Sequence, residues 1–545
     1  MTITSTDTSV TDRNDPRLRL LGTLSHTEQS VAALAALDDV RVVIEVGKEA
    51  GAAHTCSLIA LSGLLARLVG DVSISRVIPA PGNWWGVGTV GEIVEVVQRL
   101  WPRPATAPKR QLRVTVGARG VSAGDVGVGG GDWTAGLGVA PVALDPASHA
   151  LGVHAAACLA VGQVLNRVLG NLGYPGLILD GPYALDLLTH RPGRSAPAAV
   201  GGQLVSPGAL EVAVAGVGSV GTSTLALLAM AIATPHRAVG DRRSVRVTAI
   251  DADDLDPNHN PFRYPALRGG ELGNKAVWAT GRLREFGIVA DAAPHGVAQW
   301  AVARDRPGFD GLLISSVDTV SGRLDVADVL ARETLSLGVS GLALHAQRER
   351  FADGLRCPFC DYVCADPPAT QAQVYAEVTG LPVARILQLL HHDTRLTDTD
   401  VGFAVTAGRV PPHRRTDVVG YRLADLVREA YAEAALRPAG PAGEGAVAVA
   451  APHVSWFAGV LAAVEVVKQL DGLPLLDRRV DVDLGGLPPG VVRRVLADAT
   501  GRCVCRSAVR RRWTKQLYGA PADRAQDGSL GGADDTCSGE QPAGG

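Results

Sequence analysis

Residues 211–225 read EVAVAGVGSVGTSTL, and this stretch decides the fold. Glu211 to Ala215 has the composition of a buried strand. Gly216, Gly218 and Gly221 follow at G-x-G-x-x-G spacing, and TSTLALLAMAI continues at helical length. The glycines permit a tight turn and close approach of backbone to a ligand. The helix opening there offers unpaired N–H groups and the positive end of its dipole to an anion. In a chain with 64 glycines the motif alone is weak, and a plain glycine-rich βα turn is the alternative. Its place between a strand and a helix gives it strength.

Downstream, SVRVTAID ends in Asp251-Ala252-Asp253-Asp254. An acidic residue at the end of the second strand is placed for ribose hydroxyls. The polar loop PHRAVGDRRS lengthens the gap from Gly221 beyond the usual fingerprint. The chain continues DPNHNPFRYPALRGGELGNKA, which sets Asn260, Arg263 and Lys275 after the acidic cluster. Two cations and an amide beside a phosphate-binding turn suit a triphosphate whose outer groups must be neutralised. In FDGLLISSVDTVSGR an apolar strand runs out to Asp318, where a carboxylate can hold Mg²⁺ over phosphates. Each residue alone reads as a solvated loop charge; their order and spacing point to a site.

The whole chain has 545 residues, 46% hydrophobic and 20% charged, enough for roughly two to four domains with a sizeable core. A formal charge of −3 and the lack of a basic stripe interleaved with aromatics argue against a nucleic-acid partner. The polar start MTITSTDTSVTDRNDPR is unlike a signal peptide, and no stretch holds the ~18–20 uninterrupted apolar residues of a membrane span. The expectation is a cytoplasmic protein with no membrane partner. Residues 1–16 and 519–545 read as disordered tails. Between them short β runs alternate with helix-length apolar runs, the pattern of an α/β, Rossmann-like fold with a mainly parallel sheet.

That alternation occurs twice. VRVVIEVG at 40–47 and the helix through HTCSLIALSGLLARLVG form an earlier strand–helix pair. HAAACLAVGQVLNRVLG (154–170) and WFAGVLAAVEVVKQLDG (456–472), aligned at their last glycine, share Ala156/Ala458, Leu159/Leu461, Ala160/Ala462 and Val164/Val466, with Gln163 opposite Glu465. A tandem duplication is expected, with halves at 17–195 and 205–515. The first half reads VGKEAG where the second has its glycines, and no acidic pair follows VSISRVIPAPGNWW. It reads as a catalytically empty copy.

On these residues the chain resembles the ThiF/MoeB/ubiquitin-activating-enzyme superfamily, whose members use ATP and Mg²⁺ to adenylate a C-terminal carboxylate. The family order of G-x-G-x-x-G, D-x-D, N-x-x-R, lysine and strand-end aspartate is met by Gly216, Gly218 and Gly221, then Asp251 and Asp253, Asn260 and Arg263, Lys275 and Asp318, with Arg323 a little beyond. Tyr264 stands where the family has glutamine, and Asn258 is an alternative to Asn260. The resemblance implies that Asp251 holds ribose, Arg263 and Lys275 hold phosphates, and Asp318 with Asp253 holds magnesium. In tandem members the inactive half donates an arginine to the phosphates. Arg17 and Arg19 are placed for that role, with two surface arginines as the alternative.

Of eight cysteines, Cys357–Cys360 (CPFC) and Cys503–Cys505 (CVC) offer four thiolates, the ligand set of a closed tetrahedral zinc site. The family also carries paired cysteines in these regions. Cys56 and Cys158 fall in helical runs, Cys364 crowds the first pair, and Cys537 lies in the tail. None reads as a thioester-forming nucleophile. A small helical insert is expected at about 366–410, with His391 and His392 solvated at a helix end. His453 and Trp456 read as core or cap residues.

The expected function is adenylation of a carboxylate with ATP, Mg²⁺ and a structural Zn²⁺. The substrate would be a ubiquitin-like or sulfur-carrier protein, or a ribosomal peptide, with a free C-terminus. The halves would form an intrachain pseudo-dimer, with a further homodimer open. A non-catalytic partner that presents a peptide, and an NAD-dependent oxidoreductase, are the competing readings. The second leaves the cations and Asp318 unexplained.

Overall fold

The computed structural model describes residues 15–24, 27–100, 107–172, 174, 176–193, 210–233, 245–257, 260–305, 307–350, 356–357, 359–360, 371–392, 394–427, 450–486, 491–493, 497–498 and 500–519. Asn258, Cys364 and Cys537 lie outside the described residues, as does nearly all of both expected tails.

The first part of the chain runs α1 (Pro16–Leu24), α2 (Thr27–Asp38), β1 (Val40–Val46), α3 (Ala52–Ala66), β2 (Asp71–Ile74), α4 (Val90–Leu100), β3 (Arg110–Val116), β4 (Val126–Gly130), β5 (Thr134–Gly138), α5 (Leu151–Leu169), β6 (Tyr183–Asp186) and β7 (Arg191–Pro192). Its strands form one sheet in the order β2-β1-β3-β4-β5-β6-β7, parallel as far as β4 and antiparallel beyond it.

The second part runs β8 (Leu210–Ala215), α6 (Ser219–Ile232), β9 (Val245–Ile250), α7 (Asn260–Arg263), α8 (Lys275–Glu285), β10 (Val289–Ala293), α9 (Val297–Val302), β11 (Phe309–Ser315), α10 (Val320–Asp328), β12 (Ala331–Ser340) and β13 (Ala343–Glu349). There follow α11 (Gln371–Thr379), α12 (Val383–His392), α13 (Asp398–Thr406), α14 (Arg415–Val418), α15 (Pro452–Asp471), β14 (Arg479–Asp483), β15 (Val491–Arg493) and α16 (Ala508–Tyr518). The second sheet has the order β10-β9-β8-β11-β12-β13-β14-β15, parallel through β12 and antiparallel after it. The molecule is thus mixed α/β with two largely parallel, Rossmann-like sheets.

In both sheets a long buried helix, α5 or α15, enters between the first and second strands of the antiparallel part. These helices are Ala-, Leu- and Val-rich on nearly every side, so burial all round is their stable state. The segment Leu151–Leu172 is long and apolar enough to cross a membrane, yet 94% of its apolar window is buried inside the fold, as a core helix requires. Glycines set the closest approaches. A Cβ at Gly459 of α15 would lie 2.8 Å from Ser223 of α6, and one at Gly162 of α5 would lie 2.5 Å from the Leu484 carbonyl oxygen. His453 and Trp456 sit wholly in this core, and the Trp456 indole donates to Nδ1 of His154 at 3.3 Å.

The helical insert runs further than expected. Its own small core includes Val418, Leu423, Leu426 and Val427 as well as Ile386, Leu389 and Val401. Val418 of α14 and Leu423, Leu426 and Val427 beyond it pack against the residues of α11 to α13. His391 and His392 are exposed at the end of α12.

Candidate functional site

Strand β8 lies between β9 and β11. The chain leaves the middle of this sheet in opposite directions on either side of β8, and such a reversal opens a crevice at the strands' carboxyl ends. Ala215 pairs with both Ile250 and Ser315, so Gly216, Asp251 and Ser316 emerge side by side at that edge. Gly216 turns the chain with φ +85°, which an L side chain resists. Gly218 caps α6. A Cβ on Gly221 would lie 2.0 Å from the Gly216 carbonyl oxygen, so the third glycine is required by packing. All three expected glycines therefore have work in one tight βα turn.

The acidic turn after β9 is built around backbone amides. Asp251 accepts from the Val217 N–H at 2.6 Å and the Asp253 N–H at 2.9 Å. Burial pushes its pKa up, with Lys275 pulling the other way. Lys275 opens α8, and its Nζ lies 2.9 Å from Asp253 Oδ2. Burial disfavours its charge, yet Tyr264, Asp251 and Asp253 together raise its pKa, so it stays protonated. Asn274, which belongs to no motif in the linear chain, caps α8 and donates to the carbonyls of Asp251 and Asp253. It locks the lysine helix onto the acidic turn.

Asn260 is buried, and its Oδ1 accepts from the Asp256 N–H at 2.7 Å. In this structure that oxygen stabilises its own loop. Arg263 is exposed, while its carbonyl accepts from the Ser219 hydroxyl at the start of α6. Tyr264 is buried, with its hydroxyl 3.7 Å from where a Cβ on Gly218 would be.

Asp318 is exposed just past β11 and lines a cavity of about 580 Å³ with Val220 of α6, Ser316, Arg323, His345 and Asp483. A second cavity of about 440 Å³ shares Ser340, Ala343 and Asp483 with it and reaches Asn166, Tyr174 and Leu177 of the first sheet's part. Side chains from that part also reach the loop after Asn260. Arg67 Nε donates to the Pro261 carbonyl at 3.0 Å, and the Trp84 and Trp85 indoles donate to the carbonyls of Ala266 and Pro265. These three residues carry no motif and are invisible to a linear reading. Arg17, by contrast, is committed to Asp15 and Asp38, which corrects its candidacy as a phosphate donor. Nothing is described of the Arg19 side chain.

In the first sheet the corresponding turn is filled from within. The Glu49 carboxylate accepts from the N–H groups of Ala118 and Arg119. Burial opposes its charge, but these amides lower its pKa overall.

Away from the crevice, the sulfurs of Cys357, Cys360, Cys503 and Cys505 are buried and lie within 4.8 Å of one another, with closest pairs at 3.3 to 3.8 Å. Four thiolates at ~2.3 Å from a tetrahedral zinc stand ~3.8 Å apart, so the quartet fits such a metal. Asp498 braces it by accepting from the Cys503 N–H and offering its own N–H to Cys360. Cys158 is buried and Cys56 half-buried, and burial pushes the Cys56 thiol up to about 12.

No protein-family model matches the chain, and no curated protein does. Among solved structures, it is similar to the crystal structure of E. coli MccB with MccA-N7isoASN. The identity is 14% and the TM-score 0.31, over 55% of this chain and 67% of that one. A likeness so distant assigns neither function nor substrate.

Proposed function

We propose that the second part of the chain is an ATP- and magnesium-dependent adenylyltransferase of the ThiF/MoeB/ubiquitin-activating type. One observation carries this. The glycine turn and α6 N-terminus, the buried Lys275 beside Asp251 and Asp253, and the exposed Asp318 all follow the carboxyl ends of the parallel strands β8, β9 and β11, where the strand order reverses. The amides of the Gly216–Gly221 turn receive phosphate oxygens, and Asp251 receives the ribose. Lys275 and Arg263 neutralise the outer phosphates. Asp318, with Asp253, would hold Mg²⁺, which supplies positive charge to the departing pyrophosphate.

A substrate carboxylate oxygen attacks the α-phosphorus, the bond to the bridging oxygen breaks, and acyl-adenylate and pyrophosphate result. Positioning and charge neutralisation supply the catalysis, with no protein nucleophile. The two cavities that share Ser340, Ala343 and Asp483 favour an extended substrate, the C-terminus of a small protein or peptide. Zinc in the cysteine quartet would tie the end of this unit to its middle without touching the chemistry. A cytoplasmic location accords with the lack of disulfides among the described cysteines.

We infer further that the two parts, 17–195 and 205–515, descend from one duplicated unit. Gln163 Oε1 accepts from the Leu179 N–H at 2.7 Å and Glu465 Oε2 from the Leu476 N–H at 2.7 Å. Aligned residues of α5 and α15 thus do the same work. Glu49, a carboxylate set where an anion would otherwise bind, supports a first copy that does no chemistry.

ATP–pyrophosphate exchange, screened across peptide and carrier-protein C-termini, tests the function. Exchange with no candidate, together with binding of nicotinamide dinucleotide, would overturn it in favour of an oxidoreductase.

A further inference from the structure

We infer that the first part of the chain is a positioning element for the nucleotide site, acting through a clamp of Arg67, Trp84 and Trp85. The inference rests on the adenylation proposal for what the site does, but the clamp itself is geometric. Residues 261–267, PFRYPAL, connect Asn260 to the turn before α8 and carry Arg263. Two prolines in seven residues leave this loop short of N–H groups with which to brace itself, so its carbonyls depend on outside donors.

Those donors come from the other sheet's part. Arg67 reaches Pro261 O at 3.0 Å and Leu267 O at 2.5 Å. Trp84 Nε1 reaches Ala266 O at 3.1 Å and Trp85 Nε1 reaches Pro265 O at 3.0 Å. All three side chains are buried. Arg67 is further oriented by Gly63 O at 2.8 Å, and although burial lowers its pKa to about 10 it remains a cation.

The clamp also grips the lysine helix. The Trp84 ring meets Trp278 edge-on at 5.9 Å and stacks on Phe286 at 5.9 Å, and Trp278 lies one turn beyond Lys275. On its far side the loop is tied to the α6 N-terminus through Ser219 and the Arg263 carbonyl. The segment bearing Arg263 is therefore stretched between the first part's side chains and the glycine turn. A guanidinium on a long exposed side chain is useful only if its backbone stays in place.

Full-length protein with Arg67→Lys, Trp85→Phe, Arg263→Ala and the Arg67→Lys/Arg263→Ala pair tests this by two readouts. Lysine keeps the charge but cannot serve both carbonyls, and phenylalanine keeps the ring but not the donor. The first readout is amide exchange at Tyr264 and Leu267, whose N–H groups close the loop on Asn260 O and Tyr264 O. Arg67→Lys is expected to speed it at least about ten-fold while exchange in β8 and β11 is unchanged.

The second is pyrophosphate exchange. Arg67→Lys should raise KM for ATP about ten-fold with a smaller change in kcat, and the double variant should be no worse than Arg263→Ala. Should Arg67→Lys not fold, Trp85→Phe answers the same two questions. Unchanged loop protection, or losses that multiply in the double variant, would overturn the clamp. A wild-type protein that activates no carboxylate would instead overturn the adenylation proposal, and loop protection alone would then decide the clamp.

Discussion

Lys275 Nζ lies 2.9 Å from Asp253 Oδ2, the lysine side chain 9% exposed and the aspartate side chain 74% exposed. A buried cation is thus paired with a carboxylate that is open to solvent. Bound phosphate would compete with Asp253 for the lysine and free the carboxylate for a metal. Lys275→Ala is expected to lower kcat/KM in pyrophosphate exchange by about 10²–10³, the scale for removing one donor aimed at developing charge. Lys275→Arg should recover little, because the flat guanidinium does not fit a point-charge site. Wild-type exchange in either variant would remove the lysine from the chemistry.

Asp318→Ala should abolish exchange while leaving the fold intact. The side chain is exposed, and surface substitutions generally change stability by within about 0.5 kcal/mol. Thermal unfolding alongside exchange at increasing Mg²⁺ separates the two effects. Activity restored by excess Mg²⁺ would mark Asp318 as one of several ligands.

Protein purified without chelator should carry about one zinc per chain, because four clustered thiolates favour a closed site. Cys357→Ser should lose the metal and lower the melting temperature while sparing the chemical step in protein that stays folded. Metal analysis by plasma mass spectrometry reads the first outcome and calorimetry the second.

Acidification should destabilise the fold through His154 and His453. Burial holds both near pKa 3, with neighbouring His149 and His54 adding to the effect at His154. Below an ordinary histidine pKa of ~6.5 the unfolded chain takes up these protons and the folded chain does not. Their effect on stability is therefore nil above that pH and grows as pH falls toward 3, by up to ~1.4 kcal/mol per pH unit for each histidine. Neither ring nitrogen of His453 has a hydrogen-bond partner among the described residues. His453→Leu should therefore remove one proton from the slope and leave stability at pH 7 equal or higher. Urea unfolding at pH 7 and pH 5 compares the variants.

The acyl group should pass from the adenylate to an external nucleophile, with no thioester on the quartet, Cys56 or Cys158. A thiolate at Cys56 is out of reach with its pKa near 12, and the zinc-type quartet is buried. Substrate trapped under non-reducing conditions, followed by cysteine replacement, would show a thiol-sensitive adduct if a cysteine takes part.

The sequence by itself determined the strand–turn–helix at 211–232, because glycine spacing and apolar runs are local properties that the backbone obeys wherever it sits. It determined equally the strand ends that deliver Asp251 and Asp318, and the two cysteine pairs. The alternation of strand and helix was enough for a largely parallel α/β fold. Only the tertiary structure decided what these pieces meet. Cys357 finds Cys503 because β12 to β14 and α15 bring the two segments together. Asn260 turns its oxygen to the Asp256 amide, since in a buried loop an unpaired amide costs more than a distant ligand returns. Arg17 was a free arginine in the linear chain and is a partner of Asp15 and Asp38 in the folded one. Arg67, Trp84 and Trp85 carry no motif because their partners are backbone carbonyls some 180 to 200 residues away. A carbonyl has no sequence signature, and only packing of the two sheets' parts can show which donor will find it.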